Sequence, residues 1–265
     1  MSTILVNMTA LYSDIIFGPI HSRRLGLSLG VNLLPTQSKL CSFDCIYCEC
    51  GLNENHRTRS KLPTRAEVKE ALINKLSSMQ TEGIAPDVIT FAGNGEPTMH
   101  PEFADIIDDT IETRNRFFPK AKIAVLSNST MLHKEDVFLA LNKIEDNILK
   151  LDSISDSRIG QLNVPNSPAF TFDRLLEQLC RFNGNLIIQT MFLKGEVDGE
   201  SVTNTTEHEI SGWLEALKQI KPRQVMIYTI DRETPVKNLK KVTKDELEAI
   251  ADRARQEGFD VTVSA

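Results

Sequence analysis

Four of the five cysteines fall within ten residues, in the run Cys41-Ser-Phe-Asp-Cys45-Ile-Tyr-Cys48-Glu-Cys50. Thiolates are ligands for zinc and for iron–sulfur clusters. Spacings of four and three residues let one short loop turn Cys41, Cys45 and Cys48 toward a single cube. Three thiolates leave one iron of a [4Fe–4S] cluster open to a chelating cofactor or substrate, whereas four close it as an electron carrier. A structural zinc site, using the four cysteines or drawing in His56, is the competing chemistry. Zinc modules usually pair two short knuckles across a gap, and here there is one compact loop. Cys50 stands outside the triad as a loop thiol, a substrate-side thiol or a fourth ligand. Cys180 sits in an apolar helical pattern and reads as core.

The elements that must position these residues follow from periodicity. Strands are predicted over 28–34, 87–93, 122–128, 147–152, 185–193 and 224–230, with helices near 64–80, 101–116, 134–143, 171–182 and 205–219. Thr64 and Glu67 form a capping box at the start of the first helix. Six strand–helix alternations predict an α/β fold with an open parallel sheet and outer helices, a partial (βα)6 TIM-like barrel. The cysteine loop follows the first barrel strand. It lies at the carboxyl ends of the strands, where such folds gather their active sites. One domain over 1–265 is expected, with a rim segment at 1–16, the partial barrel at 28–231 and a closing helix (243–257) and strand (259–265). The polar stretches 52–63 and 195–209 read as mobile loops.

The C-x3-C-x2-C spacing, with Tyr47 before the last cysteine, resembles the signature of the radical S-adenosylmethionine (SAM) superfamily. The resemblance implies a cluster on Cys41, Cys45 and Cys48 whose open iron binds SAM. It further implies one-electron cleavage of the sulfonium C–S bond to a 5′-deoxyadenosyl radical, which takes hydrogen from a substrate. It places the Tyr47 backbone against adenine. Gly93-Asn94-Gly95-Glu96-Pro97 resembles the family's GGEP element, which implies that Asn94, Gly95 and Glu96 meet the methionyl amino group; Asn94 stands in for a glycine. Ser127 falls on the ribose-contacting position, with Asn128 matching and Ser129 replacing a glycine. Lys150 and Asp152 at the fourth strand's end are further cofactor candidates, or a buried ion pair with each other. Gln189, Met191, Tyr228 and Arg232 line up at later strand ends. From about Phe17 to Pro235 the chain is similar to the wyosine-type branch of small radical enzymes. Lys150 and Lys194 are the candidates for that branch's pyruvate chemistry. The resemblance implies a one-electron donor such as flavodoxin or ferredoxin. It leaves a tRNA base, a peptide or protein, and a small metabolite as substrates.

The bulk composition agrees with a folded enzyme. The 265 residues are 41% hydrophobic and 25% charged, with a formal net charge of −6. That balance argues against a non-specific nucleic-acid binder. Locally, His21, Arg23, Arg24, Lys39, His56, Arg57, Arg59 and Lys61 predict a basic mouth that attracts phosphate or carboxylate. No secretory signal is evident, and no apolar run reaches the ~18–20 residues of a membrane span. A cytoplasmic protein is expected, where thiols stay reduced and serve metals or catalysis.

Overall fold

The computed structural model describes residues 11–22, 24–53 and 61–265. Arg23, His56, Arg57, Arg59 and the first ten residues of the rim segment lie outside the described residues. Eight strands make the main sheet: β1 (Ile16–Ser22), β2 (Gly26–Val31), β3 (Val88–Phe91), β4 (Lys122–Ser127), β5 (Asp146–Lys150), β6 (Ile187–Met191), β9 (Gln224–Tyr228) and β11 (Val261–Ser264). Their order is β1-β2-β3-β4-β5-β6-β9-β11. All pairs from β2 to β11 are parallel. Only β1 runs antiparallel, as a hairpin with β2. The sheet is a partial TIM-like barrel, as the strand–helix alternation predicts. The predicted closing strand adds one parallel neighbour beside β9, and β1 adds an edge that alternation alone does not reveal.

Alternation along each strand separates two packing layers. One set, including Leu29, Ile89, Phe91, Val125, Leu149, Ile188 and Val225, joins the large core under the helices. The other set, Val88, Ala124, Ile148, Ile187 and Met226, forms a separate cluster. Helices α1 (Arg65–Glu82), α2 (Phe103–Phe117), α3 (Glu135–Asn142), α5 (Phe172–Cys180), α6 (Glu207–Ile220) and α7 (Lys244–Gln256) cover the outer face. The Thr64–Glu67 capping box is present at the start of α1. Cys180 packs against the main core.

Two segments depart from the periodicity reading. Helix α4 (Asp156–Leu162) is too short to leave a periodic signal, yet it sits beside the cysteine loop. The stretch predicted as a mobile loop at 195–209 is instead largely built. β7 (Leu193–Val197), β8 (Glu200–Ser201) and β10 (Leu239–Lys241) form a small antiparallel sheet, and α6 begins at Glu207. Polar composition hid these strands, which pack through Leu193 and Val202 and are tied down by one buried polar side chain where β6 passes into β7. Asn204 accepts from Leu193 N (2.9 Å) and donates to the carbonyls of Asp152 (2.8 Å) and Met191 (2.7 Å).

Removing that side chain strands three buried backbone groups, each costing about 1–3 kcal/mol when unsatisfied. Asn204→Ala should therefore lower unfolding stability by about 3 kcal/mol or more, read from the denaturant midpoint at unchanged slope. A loss below about 0.5 kcal/mol would show that the branch point does not depend on Asn204.

Candidate functional site

The cysteine loop leaves β2 and is gripped from both sides. On one side Leu40 N donates to Asn94 O (2.9 Å), and Glu96 N donates to Leu40 O (3.1 Å). Gly95 makes this contact possible. Its φ is +139°, and a Cβ there would stand 1.8 Å from Leu40 O, so no side chain fits. On the other side Asp44 N donates to Asn163 O (2.9 Å), Ile46 N to Leu162 O (3.0 Å) and Asn166 N to Ser42 O (2.9 Å). These acceptors lie at and just beyond the end of α4. Phe43 is buried edge-on against Phe170, with ring centroids 5.1 Å apart.

The clamped loop faces a cavity of about 350 Å³ over the carboxyl ends of the strands. Cys41, Cys45, Cys48, Gly95, Glu96 and Ser127 all line it, as do Tyr47 and Lys150. A larger cavity of about 550 Å³ lies behind the loop, between Ser42, His133 and Arg174, but no cysteine reaches it. The sequence thus brings eight of its ten candidate residues to one wall. Gln189, Met191, Tyr228 and Arg232 join them there.

The other two stand behind the wall. Asn94 is fully buried; its side chain donates to Tyr12 O (2.9 Å) and Pro35 O (2.8 Å) and accepts from Tyr12 N (2.8 Å). Its side chain ties the rim segment to the end of β3 and does not line the cavity. Asp152 is a hub. Its carboxylate accepts from Tyr47 Oη, from Asn163 Nδ2 (2.7 Å) and from Met191 N (2.9 Å), with Lys150 Nζ at 3.5 Å. Lys150 also donates to Tyr228 Oη (3.1 Å). Burial alone would push Lys150 down, but Asp152 and Tyr228 hold it above the ordinary lysine value, so it is a fixed cation. Burial and Asp152 push the Tyr47 phenol well up, so it remains a donor. Of the two readings for Lys150 and Asp152, the geometry gives the ion pair, with Lys150 alone reaching the cavity. Lys194 is elsewhere, paired with Glu246 on the small sheet.

Glu96 organises the opposite wall. Its Oε1 accepts from Thr98 N (3.1 Å), Thr98 Oγ1 (2.5 Å) and Ser127 Oγ (2.9 Å). Its Oε2 accepts from Asn128 N (2.6 Å), which leaves that oxygen room for one more donor from the cavity. Burial pushes this carboxyl above the usual range. Ser129, which stands where a glycine is expected, has φ +70°. Its N–H donates to Ser127 Oγ (3.1 Å) and its hydroxyl to Lys150 O (3.3 Å), so side-chain bonding compensates for the left-handed turn.

The basic mouth is smaller than its sequence suggests. Lys39 is not at the mouth: its side chain is 1% exposed, and Nζ donates to Gly51 O (2.7 Å) and Asp44 (3.1 Å). Burial opposes its charge, but the nearby Cys48 and Cys41 and its bond to Asp44 keep it above the ordinary value. It closes the cysteine loop from within. Arg232 is neutralised by Glu49 (3.0 Å).

Three thiols on one cavity wall are a donor set of the kind that holds an iron–sulfur cluster. Among the described residues, no three His, Cys, Asp or Glu side chains stand close enough to grip one metal. Zinc at ~2.3 Å from each thiolate needs sulfurs about 3.8 Å apart, whereas a cubane takes thiolates spread around several irons. Burial pushes the Cys41 thiol up and the Cys45 thiol up to about 11. A hydrogen bond from Cys50 holds Cys48 below the usual range. Cys50 also lies 3.5 Å from Gly93 O. Asn128 Nδ2 donates to Cys41 Sγ (3.5 Å) and Asn163 Nδ2 to Cys45 Sγ (3.6 Å), so two of the three thiols already carry a positioning amide. Asn163 was invisible in the sequence, because it follows the helix too short to predict.

No family model matches the chain. It is 32% identical over 241 residues to a UPF0026 protein of Helicobacter pylori, covering 88% of this chain and 71% of that one. Among solved structures, SuiB of Streptococcus suis bound to S-adenosylmethionine has a TM-score of 0.63 at 14% identity, covering 89% of this chain and 50% of SuiB. TYW1 with a lysine–pyruvate adduct bound has a TM-score of 0.59 at 15% identity, covering 88% of this chain and 74% of that one. These likenesses establish a shared fold, that of radical SAM enzymes.

Asp152→Asn tests the hub. The substitution sets an amide N–H against at least one donor, Met191 N in the less conflicted orientation, and leaves the Lys150 ammonium without its carboxylate. Breaking a buried pair this way costs about 3–5 kcal/mol. Stability should fall by about 3 kcal/mol, and a loss under about 1 kcal/mol would contradict the assigned bonding.

Proposed function

On the premise that the chain belongs to the UPF0026 family and carries the fold of radical SAM enzymes, we propose that it is itself a radical SAM enzyme. The observation that carries this reading is a clamped C-x3-C-x2-C loop whose three thiols line one cavity with Gly95, Glu96 and Ser127. When bound, a [4Fe–4S] cluster and SAM supply a 5′-deoxyadenosyl radical by one-electron cleavage of the sulfonium C–S bond.

The protein's part is binding, orientation and exclusion of water. Cys41, Cys45 and Cys48 hold the cluster, and the clamp fixes their spacing. The free acceptor capacity of Glu96 Oε2, beside the Gly95 backbone, receives the methionyl ammonium. Ser127, oriented by Glu96, receives a ribose hydroxyl, and the Tyr47 backbone lies against adenine. Lys150 supplies a fixed positive charge for the methionyl carboxylate or a substrate anion. Asp152 favours the charged form of Lys150. A separate one-electron donor of the flavodoxin or ferredoxin kind would supply the electron, and the barrel interior would hold the substrate that gives up hydrogen.

Reconstitution under anaerobic conditions should give brown protein with about four iron and four sulfide per chain. With dithionite and SAM it should release 5′-deoxyadenosine. Cys45→Ala should lose cluster iron and lower SAM cleavage by at least about 100-fold together. Undiminished iron and cleavage in Cys45→Ala, or a colourless protein that binds only zinc, would sink the reading.

A further inference from the structure

Beside the cysteine-lined cavity lies a second one of about 250 Å³, and the two share walls that include Arg24, Gln189, Glu49, Asp231 and Arg232. We propose that this second cavity binds a carboxylate or phosphate group of the substrate, with Arg24 as its anchor. The proposal rests on the radical SAM reading only for the word substrate; the anion site itself stands on the geometry.

Arg24 occupies the turn between β1 and β2. Its backbone N–H is fixed by Ser22 Oγ (3.3 Å), and its guanidinium lies 4.7 Å from the centroid of the Tyr228 ring. The ring holds the guanidinium plane, yet Nη1 is buried with no hydrogen-bond partner. Leaving such a donor unmade costs about 1–3 kcal/mol, more for a charged group, so this half-buried arginine, with Nη1 shielded from solvent, is suited to receive an acceptor from the cavity.

The surrounding charges strengthen the case. Glu49 is taken by Arg232 (3.0 Å), and Asp231 is paired with Lys241 (3.5 Å). Lys150, the other cation near Tyr228, is matched by Asp152. Among the described residues, Arg24 has no carboxylate within ion-pair distance. Glu49, Asp231, Arg232 and His21 also line this cavity, the first three engaged in the ion pairs just named, and the other polar side chains there supply donors. Ser28 Oγ and Thr90 Oγ1 share one hydrogen bond (2.8 Å), so one of their two hydroxyl hydrogens is left for a ligand. Gln189 stands on β6 as a further amide donor. A planar fork beside a hydroxyl and an amide suits an oxyanion, and the fork favours bidentate contact with carboxylate or phosphate. The volume equals about eight waters, enough for a small acid or for one anionic end of a longer molecule.

The test uses reconstituted anaerobic protein with SAM present and three probes: malonate, inorganic phosphate and uncharged malonamide. Binding is read by ligand-observed NMR at low ionic strength. Malonate or phosphate should bind and malonamide should not. Which anion binds more tightly identifies the substrate group as carboxylate or phosphate. Arg24→Gln should weaken anion binding at least tenfold. Arg24→Lys, which keeps charge but loses the fork, should fall between. Tyr228→Leu, which removes the supporting ring, should weaken binding about threefold and gives a second reading if Arg24→Gln does not fold. Equal binding by wild type and Arg24→Gln overturns the proposal. So does one-for-one displacement of the anion by SAM, which would assign the guanidinium to the cofactor's own carboxylate. Cluster content and 5′-deoxyadenosine are measured on the same wild-type samples. If both are absent while Arg24-dependent anion binding persists, the radical reading fails and the anion site stands.

Discussion

The site depends on a backbone clamp. The cysteine loop has no regular secondary structure of its own, so its shape must come from its neighbours. Leu40 is bonded to the Gly95 turn after β3, while Ser42, Asp44 and Ile46 are bonded to the segment closing α4. Backbone bonds on both flanks set the loop's position whatever its side chains do. The three cysteines are therefore free to point into the cavity rather than to pack. The glycine at 95 is the narrowest point of the clamp, because the Leu40 carbonyl fills the space a Cβ would need.

Around the clamp, buried charge is organised in two hubs. Asp152 gathers Tyr47, Asn163, Met191 and Lys150, and so links the cysteine loop to β5, β6 and the end of α4. Glu96 gathers Thr98, Ser127 and Asn128, and so links the ends of β3 and β4. Both carboxylates are nearly inaccessible to water. Such groups are tolerable only when their lone pairs are met, and meeting them fixes the loops that carry the donors. Asn128 and Asn163 extend the two hubs to Cys41 and Cys45, so each hub ends on a cysteine sulfur of the loop. Lys39 adds a buried ammonium on the remaining side, close to Cys48.

Much of this was legible in the sequence, and what was not has physical causes. Long apolar strands and amphipathic helices announce themselves by period, so the barrel and the place of the cysteine loop could be read directly. Cys41, Cys45, Cys48, Gly95, Glu96 and Ser127 could be read because each sits at a strand end with recognisable spacing. Helix α4 spans barely two turns and escapes any periodic test. With it were lost Asn163 and the second half of the clamp. The small sheet of β7, β8 and β10 is polar and is pinned by Asn204, a contact that crosses the fold and leaves no local trace. Lys39 and Asn94 show the same limit from the other direction. Their types suggest a charged mouth and a cofactor contact, but long-range partners draw both side chains inward. The antiparallel β1 was missed because one added edge strand does not alter the strand–helix rhythm.

The central claim is that only three side chains ligate the cluster, so that one iron is left for SAM. Electron–nuclear double resonance on the dithionite-reduced protein, with SAM carrying ¹⁵N in its methionyl amino group, addresses it directly. Ligation by Cys41, Cys45 and Cys48 alone predicts a cubane signal whose g-values move when SAM is added, together with a ¹⁵N coupling to the cluster. A cubane spectrum that SAM leaves unchanged, with no ¹⁵N coupling, would mean that every iron already has a protein ligand, and it would contradict the claim.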